Sequence, residues 1–364
     1  MLINKLVFNN FRNIANTSLD VAAGQVILTG ENGQGKTNLL EAVYALCYGS
    51  SFRTSNLKEA VAYNKDFFYL KGIYGDSAGF PHSTEISFEK GKKTIKTDSK
   101  EIKDRKELIY NIPCIVFSHD DIEFVRGEPE NRRRFFDQTM SMYDPVFFDD
   151  LRRYKFVLRQ RNAAIKENRN DLIDIYDIQL AKSGIPLIKA RGRVCSSFAA
   201  IFPDIYRNVS LEDRNINIKY SPSWNCNMSE EDIVKLLHEQ KETDFRMQTT
   251  TSGPHRDRFV ITDRNGLFAN GASTGQMRLA SLVLRSAQAA FYRQKTGIDP
   301  VFLIDDVLLE LDSGKRARYL EYLGSYSQAF LTFLPDEKYF GDFIVSGEDN
   351  TIKYTVEKGE FHLQ

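Results

Sequence analysis

The period of the apolar positions changes twice along the 364-residue chain. Up to about Phe117 apolar residues come in runs of strand length. Met1 to Phe8 predicts an opening strand, and Gln25-Val26-Ile27-Leu28-Thr29 a short buried one. A hairpin carrying Lys90, Lys92, Lys93 and Lys96 turns at Gly91. Between these, Asn38 to Leu46 spaces its apolar residues at helical period. Long helical patterns then take over, from Pro145 to Asn168 and from Asp171 to Phe202. After about Phe245 the pattern returns to strand, turn, helix and strand. Leu279 to Tyr292 is the helix, and Val301-Phe302-Leu303-Ile304 and Gln328-Ala329-Phe330-Leu331-Thr332 are the strands. The order predicts an α/β head made from residues 1–118 and 246–364, with a largely helical arm inserted at 119–245. That arm lacks the length and the sustained heptads of a long coiled coil.

Composition adds limits. Lys and Arg total 49 and so do Asp and Glu, so any nucleic-acid surface must be a local patch. The longest apolar runs are too short to span a bilayer, and the N-terminus lacks a signal-peptide pattern, which predicts a cytoplasmic protein without a membrane partner. Cys47, Cys114, Cys195 and Cys226 form no C-x-x-C pair and have no histidine at ligand spacing. Buried thiols in a reducing compartment, without zinc, are expected.

The candidate chemistry begins at Gly30-Glu31-Asn32-Gly33-Gln34-Gly35-Lys36-Thr37, which matches G-x-x-x-x-G-K-[ST] between a predicted strand and a predicted helix. In that context the glycines turn backbone N–H groups around a polyphosphate, and the helix start adds partial positive charge. Lys36 would reach the β- and γ-phosphates of ATP, and the Thr37 hydroxyl would ligate Mg²⁺. Near the other end, Pro300 to Ile304 is an apolar strand ending in Asp305 and Asp306, the form of a Walker B strand. Asp305 would hold Mg²⁺ through its water shell, and Asp306 would orient water against the γ-phosphate.

Ala272-Ser273-Thr274-Gly275-Gln276-Met277-Arg278 opens the helix that precedes this strand. Ser273 is a natural N-cap, and Gly275 lets an anion approach closely. Motif order, with Glu310-Leu311-Asp312 following the two acids, resembles that of ABC-type ATPases. There an LSGGQ-like helix start binds ATP held by the P-loop of the opposite subunit. The resemblance implies that Ser273, Gly275, Gln276 and the D-loop residue Asp312 meet nucleotide across a homodimer formed on ATP.

Nearly the whole chain resembles the RecF family, bacterial DNA-repair ATPases of the SMC-like branch of the ABC superfamily. The likeness rests on Leu6 to Asn13, on Gly35 to Ala42 with Ser51-Phe52-Arg53-Thr54, and on Val116 to Asp121 with Arg132 to Asp137. It rests most on Tyr154-Lys155 with Leu158 to Asn162, and on Gly253-Pro254-His255-Arg256-Asp257. Three positions depart from the family pattern: His119 replaces a usual proline, Leu309 a frequent serine and Tyr176 a common tryptophan. The fold implied is an ABC-type P-loop ATPase head, a mixed sheet with helices. The function implied is ATP-dependent DNA binding in recombinational repair, replication restart and the SOS response. A RecR-type partner, gapped or stalled-fork DNA and help in loading RecA onto single strands belong to the same implication.

Asp306 is one methylene shorter than the glutamate of typical ABC ATPases, as in RecF-like proteins, which predicts slow hydrolysis. Thr332 stands where a switch histidine is usual, as a hydroxyl that senses the γ-phosphate. Arg12 is either a further phosphate contact or a solvated turn arginine. For DNA, Arg152, Lys155, Arg159 and Lys166 share one helical face, with Val157 and Leu158 nearer the other. The alternative for this stripe is a solvated face, or arginines paired with acids of the head. Arg132-Arg133-Arg134 is expected to hold the arm to the head. Two other readings stay open: an SMC-like ATPase serving a nuclease, and an ATP-binding scaffold that never hydrolyses.

Overall fold

A computed structural model describes residues 1–76, 79–335 and 350–364, the side chain of Leu309 excepted. The first part of the chain carries β1 (Leu2–Asn9), β2 (Thr17–Asp20), β3 (Gln25–Thr29), α1 (Lys36–Tyr48), β4 (Phe67–Gly75), β5 (Pro81–Glu89), β6 (Lys92–Thr97), β7 (Lys100–Glu101), α2 (Arg105–Ile109) and β8 (Cys114–Phe117). The middle is mostly helical: α3 (Glu123–Arg126), α4 (Pro129–Ser141), α5 (Pro145–Lys166), α6 (Asn170–Ser210), β9 (Asn217–Ser221), α7 (Glu230–Glu239) and α8 (Lys241–Met247). It ends with β10 (Arg258–Asp263), β11 (Gly266–Leu267), α9 (Phe268–Gly271) and α10 (Thr274–Thr296). The last part returns to β12 (Val301–Asp305), α11 (Ser313–Glu321), β13 (Gln328–Phe333), β14 (Thr351–Glu357) and β15 (Glu360–Leu363).

Two compact units result, Met1–Asp120 with Tyr292–Gln364, and Asp121–Phe291. The chain enters the second unit close to the expected residue 119 but leaves it at Tyr292 rather than near 246. The cause is a pairing between distant segments: β9 lies antiparallel to β10, with Tyr220 opposite Phe259 and Ile218 opposite Ile261. Residues 258–267 are thereby held in the three-stranded sheet β11-β10-β9 of the second unit.

In the first unit the described strands form two sheets, antiparallel β2-β1-β4-β5-β6-β7 and β15-β14-β3-β13-β12-β8. Strands β14, β3, β13, β12 and β8 run parallel, and β15 is antiparallel at the edge. Every residue of β3, β8, β12 and β13 is buried, the apolar run expected of parallel strands covered on both faces. One polar residue in this core ties the sheets together. Gln328 accepts from Ile3 N at 2.9 Å, and its amide donates toward Ile3 O, Val21 O and Ala23 O at 2.7–3.0 Å. Because the strands are parallel, β3, β12, β13 and β8 deliver their C-terminal ends to one edge, where α/β sheets place their ligands.

In the second unit, Asp144 caps α5 by accepting from Val146 N and Phe147 N at 3.0 and 2.9 Å, and Pro145 fills the first helical turn. Helix α6 outruns its predicted end at Phe202 and reaches Ser210 through Pro186 and Pro203. Each proline forfeits a ladder hydrogen bond, but Tyr206 and Val209 keep the buried face continuous beyond the second. No helix among the described residues is long and apolar enough to cross a membrane. Cys47, Cys114 and Cys195 are buried as expected, whereas Cys226 is exposed.

Candidate nucleotide site

Strand β3 ends at Thr29, and the loop 30–35 turns the chain into α1. Gly33 and Gly35 stand at φ +79° and +123°, which side chains rarely adopt, and a Cβ on Gly33 would meet nothing within 4 Å. The loop is therefore open on that side. At Gly30 the need is close approach, since a Cβ would lie 2.4 Å from the Val356 carbonyl oxygen. Lys36 is buried and folds its ammonium over the loop, donating to Gly30 O at 2.5 Å and Glu31 O at 3.2 Å. Its Nζ lies 3.9 Å from Asp306 Oδ2.

The acids arrive from β12. Thr37 Oγ1 donates to Asp305 Oδ1 at 2.8 Å. Burial pushes the Asp305 carboxyl up, and the Thr37 hydrogen bond works against that push. Asp306 follows in a left-handed conformation at φ 53°, its N–H donated to Thr332 Oγ1 at 2.9 Å. The Thr332 hydroxyl has Asp306 Oδ1 as its nearest acceptor at 2.7 Å, with Asp305 Oδ1 at 3.2 Å. Thr332 is buried behind both carboxylates, so it orients them from β13 instead of lining the cleft itself.

Glu31, Asn32, Gly33, Gly35, Lys36, Thr37 and Asp306 line a cleft of about 240 Å³, which Asn38 and Arg53 complete. Gln34 turns away, its Oε1 accepting from Lys358 N at 2.6 Å. Arg12 does not line the cleft. Its guanidinium grips buried Glu41 at 2.7 and 3.0 Å and donates to Glu59 O at 2.6 Å, so it is no solvated turn arginine either. Arg53 reaches Asn38 Oδ1 at 2.7 Å and Glu41 Oε2 at 3.4 Å. Asn13 braces the loop, donating to Gly33 O at 3.1 Å and accepting from Asn38 Nδ2 at 2.6 Å. Glu41 was a readable signal: a carboxylate on the apolar face of a helix needs cationic partners.

The donors suit a polyphosphate with a hard divalent cation: loop N–H groups at a helix start, an ammonium, a hydroxyl and carboxylates. Among the described residues no three His, Cys, Asp or Glu side chains stand together to hold a metal alone. A cation at Thr37 and Asp305 would complete its shell with water and phosphate oxygens.

In the second unit Ser273 caps α10 as expected. Gln276 N donates to Ser273 Oγ at 3.2 Å, and Ser273 N donates to Gln276 Oε1 at 2.9 Å, a reciprocal capping box. Gln276 is also fixed by Arg214 at 2.8 Å and Glu212 at 2.8 Å. Ser273 and Gly275 are exposed at the helix start. In the first unit Asp312 caps α11, accepting from Lys315 N at 2.8 Å.

Arg152, Lys155, Arg159 and Lys166 all lie exposed on α5. Leu158 is not on the opposite face, for it lines a cleft with Phe148, Leu151, Arg152, Lys155 and Arg159. Arg161, in the same basic run, is wholly buried. The expectation that Arg132-Arg133-Arg134 ties arm to head is not met by the first two. Arg132 donates to Val125 O and Gly127 O at 3.1 and 2.9 Å, and Arg133 to Asp257 O at 2.8 Å, all within their own unit. In the hairpin Lys93 turns inward to donate to Gly49 O at 2.9 Å, at the C-terminal end of α1.

Comparison with known proteins follows the same lines. A sequence-family model, RecF/RecN/SMC N terminal domain, matches residues 2–339. A protein of Treponema pallidum, "DNA replication and repair protein RecF", is 42% identical over 355 residues, 97% of this chain and 99% of its own. Among solved structures, "Structure of the recombination mediator protein RecF-ATP in RecFOR pathway" superposes with TM-score 0.89 at 27% identity, covering 100% of this chain and 97% of that one. A second, "Crystal structure of the SmcHead bound to the C-winged helix domain of ScpA", gives TM-score 0.59 at 15% identity, covering 100% and 97%. That likeness concerns the fold alone, an ABC-type head of mixed α/β sheets.

Proposed function

The chain belongs to the RecF family, and from that premise we propose that it is an ATP-switched DNA-binding protein of replication and repair. The supporting observation is the meeting of Lys36, Thr37, Asp305, Asp306 and Thr332 at one sheet edge. Lys36 binds the β- and γ-phosphates, and Thr37 with Asp305 holds Mg²⁺, which supplies charge neutralisation on the phosphate oxygens when bound. Asp306 orients the attacking water, and Thr332 holds Asp306. Arg53 adds a cation to the cleft. Asp306 is a short base and Thr332 a poor proton carrier, so hydrolysis is slow and times release.

Ser273 and Gly275, at the capped start of α10, complete the site of a second copy, so ATP joins two chains and hydrolysis parts them. Asp312 sits at the D-loop contact of that dimer. The exposed row Arg152, Lys155, Arg159 and Lys166 tracks DNA phosphates without reading bases. The partners are gapped or duplex DNA and a RecR-type mediator that leads to RecA loading, in the cytoplasm. Sedimentation with ATP, ADP and DNA tests the switch and the substrate together. ATP alone should drive dimerisation, DNA should join the dimer, and Ser273→Ala should lose the dimer while the monomer still binds nucleotide. A dimer that forms equally with ADP, or survives Ser273→Ala, overturns the reading.

A further inference from the structure

The loop that carries Asp306 is held from both strands beside β12. On one side β13 places Thr332 opposite Asp305, where it takes the Asp306 N–H. On the other side β8 runs parallel to β12 with Phe117 opposite Ile304, so its next residues leave the sheet beside the two acids. There the chain makes a 3-10 turn, His119–Ile122, next to the turn Val307–Glu310 that follows Asp306. The imidazole Nδ1 of His119 meets the Glu310 carboxylate, with both side chains partly exposed at 52% and 30%.

We propose that His119, through Glu310, is a positioning residue for Asp306, bracing the far end of the loop whose near end Thr332 holds. The proposal rests on the reading of Asp306 as the group that orients water. A base one methylene short has less reach to spare, so the course of its loop decides whether its oxygen meets the water. A contact this exposed adds little to folding. Its effect therefore belongs in turnover and loop motion, not in stability.

The test uses the full chain with His119→Ala, Glu310→Gln, the double variant and His119→Lys, which keeps a hydrogen-bond donor facing Glu310. Each single variant should lower kcat roughly 10-fold with KM within about twofold, as misplacement of a reacting group does. The double variant should be no worse than either single one, and His119→Lys should recover part of the loss. Amide hydrogen exchange over 306–312, measured without nucleotide, should quicken in His119→Ala while the melting temperature stays put. Additive losses in kcat, or exchange at the wild-type rate, overturn the brace. Should the wild type hydrolyse ATP no faster than Asp306→Asn, the reading of Asp306 fails and with it the effect of His119 on turnover. Exchange then reports on the brace alone.

Discussion

Two sets of buried charge, one in each unit, differ in what answers them. In the first unit Lys36 rests on two loop carbonyls and lies 3.9 Å from the nearest carboxylate oxygen, beside an open cleft. In the second unit Arg161, fully buried, donates to Asp177 and Asp244 at 2.6 Å each and to Thr250 at 2.9 Å. Arg191 likewise grips Asp137 at 2.9 Å and Asp257 at 2.8 Å, and Asp257 also accepts from the Tyr220 hydroxyl. Burial alone would push the Arg191 guanidinium down, but its two carboxylates hold it charged and its pKa ends above the usual range. The carboxylates that answer these guanidiniums tie α4, α5 and α6 together, and among the described residues only Nη2 of Arg161 is left without a partner in these two clusters. Lys36, answered by carbonyls beside a cleft, is poised to exchange partners. Buried charge points to a site where an open cleft adjoins it.

The largest effect should come from breaking the carboxylate-paired cluster. Arg161→Ala leaves Asp177 and Asp244 buried without their cation, and should cost the second unit roughly 3–5 kcal/mol. Trp224, the only tryptophan and fully buried in that unit, reports its unfolding in urea. A loss under about 1 kcal/mol would mean that the carboxylates find other partners, and the contrast would fail. Lys36→Ala is the converse. It should move the urea midpoint of its own unit, followed by circular dichroism, little while lowering ATP turnover about 100-fold, the scale of a lost charge-stabilising group. A comparable loss of stability would show Lys36 to be architecture too.

Much of the first site was legible in the residues. A phosphate loop is local, so the spacing from Gly30 to Thr37 and the apolar run before Asp305 carried both motifs to one edge. That Glu41 takes up Arg12 and that Arg53 lines the cleft is shown only by the fold. The division near Tyr292 was hidden for a similar reason. The pairing of β9 with β10 joins segments far apart in sequence, and register between such strands is set by tertiary packing. The block from Gly253 to Asp257 stands out in the sequence but serves structure: Asp257 anchors Arg191 and Tyr220, while His255 sits between Tyr154 and Thr250.

That histidine gives a pH test of the second unit. His255 Nε2 donates to Thr250 O at 3.0 Å, leaving Nδ1 to accept from the Tyr154 hydroxyl at 2.7 Å, so the neutral ring satisfies both partners. Burial, joined by repulsion from Arg256, Arg133 and Arg161, pulls its pKa down to about 4. The unfolded chain therefore takes up this proton first as pH falls below the ordinary histidine value. The associated stability is present above that value and is lost as pH drops toward the folded one, roughly 2 kcal/mol between about pH 7 and 5. His255→Gln should flatten that part of the acid limb, followed through Trp224. An unchanged slope would mean that the ring is protonated in the folded unit.

The smallest expected effect divides one helix. Arg159 and Arg161 lie two positions apart on α5, yet Arg159 is exposed and Arg161 shares its face with buried Tyr154, Val157, Ala164 and Ile165. Spacing alone could have drawn that line, since 154, 157, 161, 164 and 165 follow the helical period. If the outer row tracks phosphates, Arg159→Gln should leave folding intact and weaken binding to a short duplex a few-fold near physiological salt. The slope of log affinity against log salt should fall by about 0.9, one phosphate contact, whatever the sequence of the duplex. Fluorescence anisotropy at several salt concentrations measures both quantities. An unchanged slope would place the DNA elsewhere and leave the outer row of α5 a solvated face. An effect confined to one DNA sequence would instead mean that Arg159 touches a base, against the absence of base reading proposed for this surface.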